Sequence, residues 1–182
     1  MIITEVKDVI CHLKSGEVIG YPTEAVYGIG CDPWNQSSVE KIAKIKGRES
    51  SKTFLMVASS IDQLTDLIDI STLSRQVTSS WPGHTTWLIT AKENVPHWLQ
   101  DEQTNKVGIR ISNHPLVREL CNKFGKPIIS TSANISGKEE IKNQQEFMKT
   151  FSSDINYLVD GDLGDYDKAS MIIDMQTNKK IR

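Results

Sequence analysis

The sequence has few cysteines, no excess of charge and no long apolar run. Its three cysteines, Cys11, Cys31 and Cys121, lie far apart among 182 residues, a spacing that argues against a disulfide framework or a structural zinc site. Lysine and arginine number 21 against 23 acidic residues, so a polyanion would have to be bound by a local cluster of cations. No apolar stretch approaches the roughly 18 residues of a membrane span, and the charged N-terminal segment predicts no signal or transit peptide. We therefore expect a cytoplasmic protein with reduced thiols and no membrane partner.

The apolar spacing predicts helices that alternate with short strands. Apolar residues at i, i+3, i+4 and i+7 predict a first helix that Thr4 caps and Gly16 ends. This interleaving predicts one α/β domain over residues 1–182, a sandwich around a twisted sheet, and leaves parallel and antiparallel pairing open. Further helices are predicted from Ser38 to Gly47 and at 61–68, 73–79, 115–124 and 144–151, and strands at 18–21, 54–58, 87–90, 107–111, 126–130, 157–159 and 171–174.

Two polar segments follow predicted strands, where ligands of covered sheets usually bind. The segment from Tyr21 to Gly30 combines hydroxyls, a proline and two glycines, although a turn whose hydroxyls cap its own backbone has the same composition. The segment from Ser130 to Gly137 contains four hydroxyls and an amide. Small donors beside a glycine favour an anion-binding nest, whereas a serine hydrolase is disfavoured because no Gly-x-Ser-x-Gly elbow is present.

Cations cluster at the end of the second predicted helix and in the loop beyond it, at Lys44, Lys46, Arg48 and Lys52. Such residues favour a helix C-terminus because of its dipole. They are equally suited to a polyanion, since arginine offers a bidentate fork and lysine a point charge. Both interpretations remain open at this stage.

Three further features are less specific. Arg110 lies inside a predicted strand, where a covered charge needs an anionic partner, either a ligand or an acid across the sheet. His84 lies in a turn, where a lone histidine is usually surface filler. The acidic stretch from Asp160 to Asp167 lacks the spacing of a calcium loop and is interpreted as a solvated loop.

Five of these elements, in order along nearly the whole chain, resemble the YrdC/TsaC family of threonylcarbamoyl-AMP synthases. The resemblance lies in the segment from Tyr21 to Gly30, the Lys-x-Arg element of Lys46 and Arg48, the Pro-Gly-x-x-Thr element from Pro82 to Thr86, the strand arginine Arg110, and the Ser-x-Asn element of Ser132 and Asn134.

The resemblance implies a single α/β domain with a twisted mixed sheet, flanking helices and an electropositive concave cavity. It implies that L-threonine, bicarbonate and ATP, with Mg²⁺, are joined into threonylcarbamoyl-adenylate and pyrophosphate for t6A synthesis in tRNA. It further implies a short bacterial form that passes its product to the t6A transferase complex. The alternative is a module that binds tRNA, ribosomal RNA or other double-stranded RNA in the same basic cavity, although no RRM, KH or zinc-knuckle motif is present.

Site residues follow from the same matching, with no metal ligand among them. Ala25 and Met171 depart from the usual family residues, which affects details of the threonine pocket. The implied catalytic set is Lys46, Arg48, Ser132 and Asn134; the implied ATP-binding set is Arg48, Lys52, Ser132, Asn134 and Arg182; and the implied threonine-binding set is Thr23, Arg110, Ser130 and Ser170.

Overall fold

The computed structural model describes residues 1–47 and 53–182, and its strands form two five-stranded mixed sheets. Arg48 and Lys52 lie outside the described residues. The strands are β1 (Ile2–Thr4), β2 (Ile19–Pro22), β3 (Tyr27–Gly30), β4 (Leu55–Ala58), β5 (Thr85–Thr90), β6 (Lys106–Ile111), β7 (Ile128–Ile129), β8 (Thr131–Ser132), β9 (Tyr157–Val159) and β10 (Met171–Asp174). The helices are α1 (Val6–Lys14), α2 (Gln36–Lys46), α3 (Arg75–Ser80), α4 (Pro115–Phe124) and α5 (Gln144–Phe151), with short 3-10 turns at Ile61–Leu64, Ile70–Thr72 and His97–Leu99.

The mixed α/β class is confirmed, but the expected single sheet is replaced by two. The first sheet has the order β1-β9-β2-β3-β8 and the second β10-β5-β6-β4-β7. Each contains parallel and antiparallel pairs, for example β2 parallel to β9 and antiparallel to β3. Alternating periodicity predicts a strand but does not select its neighbour, so the division into two sheets was not available from the sequence.

The two sheets meet where the chain passes directly from β7 to β8. The sequence predicts one strand over 126–130, whereas β7 pairs with β4 in one sheet and β8 pairs with β3 in the other. Gly30, the last residue of β3, allows the close approach, because a Cβ there would lie 2.4 Å from the carbonyl oxygen of Ile129. This crossing places Ser130 and the polar segment that follows it between the sheets.

The segment from Tyr21 to Gly30, which the sequence placed after a strand, forms a hairpin over most of its length. Tyr21 pairs with Gly28, and Ile19 with Gly30. Only residues 23–26 form the connection, where the backbone N–H of Thr23 donates to the carbonyl of Val26 at 3.1 Å. The polar side chains of this segment therefore project from a hairpin and its short connecting turn.

Most helix boundaries follow local signals. In α2 the side chain of Asn35 accepts from the backbone N–H of Ser38, and Gly47 adopts the left-handed conformation that ends the helix. Pro115 opens α4 and Gly125 ends it, as predicted. Thr4, by contrast, belongs to β1, and Glu5 precedes α1, because strand pairing with β9 captures residue 4 before the helix begins. The predicted helix over 61–68 shortens to a 3-10 turn.

Buried apolar side chains form two clusters. One contains the inner residues of α1, with Val9 and Leu13 fully buried, together with α4 and strand residues such as Val57. The larger cluster contains residues of both sheets together with α2 and α5, and it includes Ile42, Trp87 and Phe147. Within the described part of the chain, every helix is too short or too polar to traverse a lipid bilayer.

Candidate functional site

A cavity of about 570 Å³ lies between the two sheets. Strands β3 and β8 of the first sheet and β4, β5, β6 and β10 of the second contribute to its wall. All of the described residues that the sequence assigned to the site line this one cavity: Thr23, Lys46, Arg110, Ser130, Ser132, Asn134, Ser170 and Arg182. The tertiary structure thus brings together residues that are up to 159 positions apart in the sequence.

Lys46 places its ammonium group on the polar segment after β8. Its Nζ donates to Asn134 Oδ1 at 2.8 Å, to the Asn134 carbonyl at 2.9 Å and to the carbonyl of Ser132. The residue is only 4% exposed and ends α2. Removal of this cation would therefore carry a structural cost, because three acceptors depend on it. The geometry fixes one positive charge at the cavity wall.

The segment after β8 presents side chains to the cavity more than backbone amides. Ser132 Oγ donates to Asn134 Oδ1 at 2.9 Å, while the backbone N–H groups of Ala133, Asn134 and Ser136 donate to carbonyls of the protein. These three amides are already used, so the anion-binding nest that the sequence favours would have to draw on other donors of the segment. An anion here would meet hydroxyl groups and the Lys46 ammonium.

Arg110 forms a buried ion pair with Glu24. Its Nη1 donates to Glu24 Oε1, and Ser112 Oγ donates to the same oxygen at 2.6 Å. Burial of the Glu24 carboxyl acts to raise its pKa, but the Arg110 charge and the hydrogen bonds outweigh this and lower the pKa to about 2. The acid across the sheet that the sequence left open is thus present, although Arg110 also lines the cavity.

The hydroxyls assigned to threonine binding have partners within the protein. Thr23 Oγ1 donates to the carbonyl of Val26 at 2.7 Å, and Ser170 Oγ lies 2.8 Å from Thr86 Oγ1 in a buried hydrogen bond. Ser130 lies at the crossing between the sheets, where its backbone N–H donates to the carbonyl of Leu55 at 2.9 Å. The bonds of Thr23 and Ser170 fix their hydroxyls in defined orientations, with lone pairs left for a ligand.

The last strand returns Arg182 to the cavity. Asp174 Oδ1 accepts from the backbone N–H groups of Gln176 and Thr177, which closes a turn. The backbone N–H of Ile181 then donates to the Ile172 carbonyl at 2.8 Å, and Arg182 Nε donates to the Ser170 carbonyl at 3.1 Å. Arg182 is therefore attached to the same strand end that carries Ser170.

Sequence reasoning assigned no site role to Glu24 or Thr86, although both lie in the motifs, and interpreted His84 as surface filler. His84 lines the cavity, stacks on Tyr166 with ring centroids 4.1 Å apart, and places Nε2 2.6 Å from the Lys168 carbonyl. The signal for Glu24 was the need of Arg110 for an acid, but no sequence rule selects which of 23 acids meets it. No group of three or more metal-ligating side chains is found within residues 1–47 and 53–182.

The chain is thus an α/β protein with two mixed sheets and a cavity between them, on whose wall cations and hydroxyl groups lie. Residues 11–182 match the family Sua5_yciO_yrdC, described as "Telomere recombination", and the chain belongs to this family.

Individual relatives agree over nearly the whole chain. The chain is 41% identical to the threonylcarbamoyl-AMP synthase of Pseudoalteromonas translucida over 95% of its own length and 94% of that protein. It is 37% identical to the threonylcarbamoyl-AMP synthase of Vibrio campbellii over 97% of each chain. The crystal structure of P. abyssi Sua5 complexed with L-threonine superposes with a TM-score of 0.86 at 24% identity. That match covers 96% of this chain and 52% of the Sua5 chain, and it concerns the fold.

Proposed function

We propose that the protein is a threonylcarbamoyl-AMP synthase, an enzyme that transfers AMP from ATP to a carbamate made from L-threonine and bicarbonate. Its family and its relatives support this reaction. The structural observation that supports it best is the convergence of Lys46, Arg110 and Arg182 on one cavity between the sheets. Three anionic groups must meet in this reaction, and cations on rigid elements are what such a meeting needs.

The phosphate end of the cavity is assigned to the α2 and β8 side. Lys46 faces Ser132 and Asn134 there, within hydrogen-bond distance of both, and these three groups would neutralise and orient the α-phosphate. Arg182 would contact the nucleotide from the segment that follows β10. Arg48 and Lys52 complete this set by the family resemblance alone.

The threonine end is assigned to Arg110 and to the hydroxyls near it. Arg110 would bind the carboxylate through N–H groups other than the one directed at Glu24. Thr23, Ser130 and Ser170 would contact the amine and the threonine hydroxyl. Ala25 lines the same cavity, so the replacement noted in the sequence falls within this pocket.

The chemistry needs positioning and charge neutralisation more than a covalent nucleophile. The neutral amine of threonine attacks bicarbonate, forming the carbamate and releasing water. A carbamate oxygen then attacks the α-phosphorus, and pyrophosphate leaves with the electrons of the broken P–O bond. Lys46 offsets the negative charge that develops on the phosphorus oxygens. Mg²⁺ would arrive with ATP, bound by phosphate oxygens.

The labile product would pass to the t6A transferase complex in the cytoplasm. The rival function, binding of tRNA or other double-stranded RNA, would use the same cations. Fixed hydroxyls such as Ser170 favour a small polar ligand over a nucleic-acid backbone, because backbone binding draws mainly on lysine and arginine.

The test is pyrophosphate release from ATP with each amino acid in turn, with and without bicarbonate. Turnover is expected only when L-threonine and bicarbonate are both present. Threonine-dependent turnover that persists at full rate after bicarbonate depletion would contradict the proposal. RNA binding without any turnover would favour the rival function.

A further inference from the structure

The guanidinium of Arg110 lies between the cavity and a buried carboxylate. Arg110 is 6% exposed and lines the cavity, whereas Glu24 is 3% exposed and is absent from the described residues that line it. Glu24 therefore contacts Arg110 from the side away from the cavity. A role for Glu24 in ligand binding has to act through Arg110.

Only one oxygen of the Glu24 carboxylate accepts hydrogen bonds among the described residues. Oε1 accepts from Arg110 and Ser112, but the buried Oε2 has no hydrogen-bond partner among the residues that the structure describes. A buried ion pair with an unsatisfied oxygen contributes little net stability compared with an apolar pair. Stability alone therefore does not explain an ionised carboxylate at this position.

The loop before β10 holds the backbone of Thr23 and Glu24 through two hydrogen bonds. The backbone N–H of Tyr166 donates to the Glu24 carbonyl at 3.0 Å, and that of Gly164 donates to the Thr23 carbonyl at 3.0 Å. A Cβ on Gly164 would lie 2.9 Å from the Glu24 carbonyl oxygen, so the loop packs directly on the turn. The Glu24 carboxylate is consequently a fixed acceptor for the Arg110 guanidinium.

We propose that Glu24 is a positioning residue that fixes the Arg110 guanidinium, so that its remaining N–H donors face the cavity and receive the carboxylate of the amino-acid substrate. An arginine carries five N–H donors in a planar fork, and the bond from Nη1 to Glu24 sets the orientation of that plane. The assignment of Glu24 rests on the proposed function, because it names the residue that prepares the threonine end of the same site.

A double-mutant cycle tests the coupling. Glu24→Gln removes the charge with little change in shape, and Arg110→Gln removes the guanidinium. Glu24→Gln is expected to raise the threonine KM about tenfold or more and to change the ATP KM less than about twofold. In the Arg110→Gln background the same substitution should change the threonine KM less than about twofold, since Glu24 has no arginine left to orient.

Asp32→Asn is the matched control. Asp32 also pairs with a cation, Lys126, at 3.3 Å, and its side chain is 15% exposed, but it does not line the cavity within the described part of the chain. Its substitution is expected to leave the threonine KM unchanged. A rise equal to that of Glu24→Gln would contradict the positioning role, because it would be a general effect of losing a buried carboxylate.

The other possible results separate failure of the Glu24 assignment from failure of the proposed function. Equal effects of Glu24→Gln in both backgrounds, or equal rises of both KM values, would overturn the assignment of Glu24 while leaving the reaction intact. Absence of threonine-dependent turnover in the wild-type protein would overturn the proposed function instead. If Glu24→Gln does not fold, the cycle is run with Ser112→Ala, which removes the second donor to Oε1. Its severalfold rise in the threonine KM should vanish in the Arg110→Gln background, and persistence there would overturn the positioning role.

Discussion

Replacing Lys46 by methionine separates two roles that the structure assigns to one ammonium group. The substitution keeps the aliphatic stem and removes the donor to Ser132 and Asn134. Hydrogen bonds from charged donors contribute roughly 1.5–3 kcal/mol each, offset in part by relief of the burial of the charge. We expect a net loss of about 2–4 kcal/mol in the free energy of unfolding. For a chain of this size that corresponds to a fall of roughly 5–15 °C in Tm.

The effect on turnover is a separate quantity. A preorganised charge at a phosphate is typically worth 10²- to 10³-fold, or about 3–4 kcal/mol in the transition state. Lys46→Met should therefore lower kcat by about 10²-fold or more at a temperature well below its Tm. Pyrophosphate release and thermal unfolding, measured on the same preparation, give both quantities.

Lys44→Met is the matched control for this experiment. Lys44 lies in the last turn of the same helix, but its side chain is exposed. Its loss should leave both Tm and turnover near the wild-type values. A folded Lys46→Met protein with near-wild-type turnover would show that Lys46 is only a helix-end cation, whereas lost turnover with an unchanged Tm would refute the hydrogen-bond reasoning.

Further predictions concern the two arginines and Glu24. Arg110→Leu should raise the threonine KM about 10- to 150-fold, with little change in the ATP KM. It should also lower Tm, because Glu24 is left as an unpaired buried charge. A lower Tm with both KM values unchanged would show that Arg110 has only a structural role, as the partner of Glu24. Arg182→Ala should raise the ATP KM severalfold with Tm nearly unchanged, since Arg182 is exposed, and an unchanged ATP KM would remove it from the nucleotide site. The pKa of Glu24 is lowered to about 2, so its ionisation stabilises the fold fully above the unfolded pKa of about 4.3, and this contribution is lost as pH falls towards 2. Urea unfolding should show wild type losing roughly 2 kcal/mol more than Glu24→Gln between pH 6 and pH 3, and equal losses would contradict the pairing.

Local chemistry in the sequence determined the elements that depend on near neighbours. The eleven residues from Pro115 to Gly125 contain the proline that starts the helix, its apolar face and the glycine that ends it. The bounds of β9, β10 and α5 agree with the predicted ranges. Periodicity and capping act over one or two turns, so the sequence alone is enough for them. The family resemblance likewise named eight of the described residues that line the cavity.

Tertiary structure alone decided which strands pair and which charges meet. The ion pair of Glu24 and Arg110 joins residues 86 positions apart, and the contact of Lys46 with Asn134 joins residues 88 apart. No local rule selects Glu24 over the other acids, because a carboxylate becomes a partner only when two sheets bring it against a buried guanidinium. The same holds for the crossing from β7 to β8, where two residue pairs separated only by Ser130 join different sheets. That choice depends on the packing of the whole core, since the free energy of burying each strand face is set by the elements that cover it.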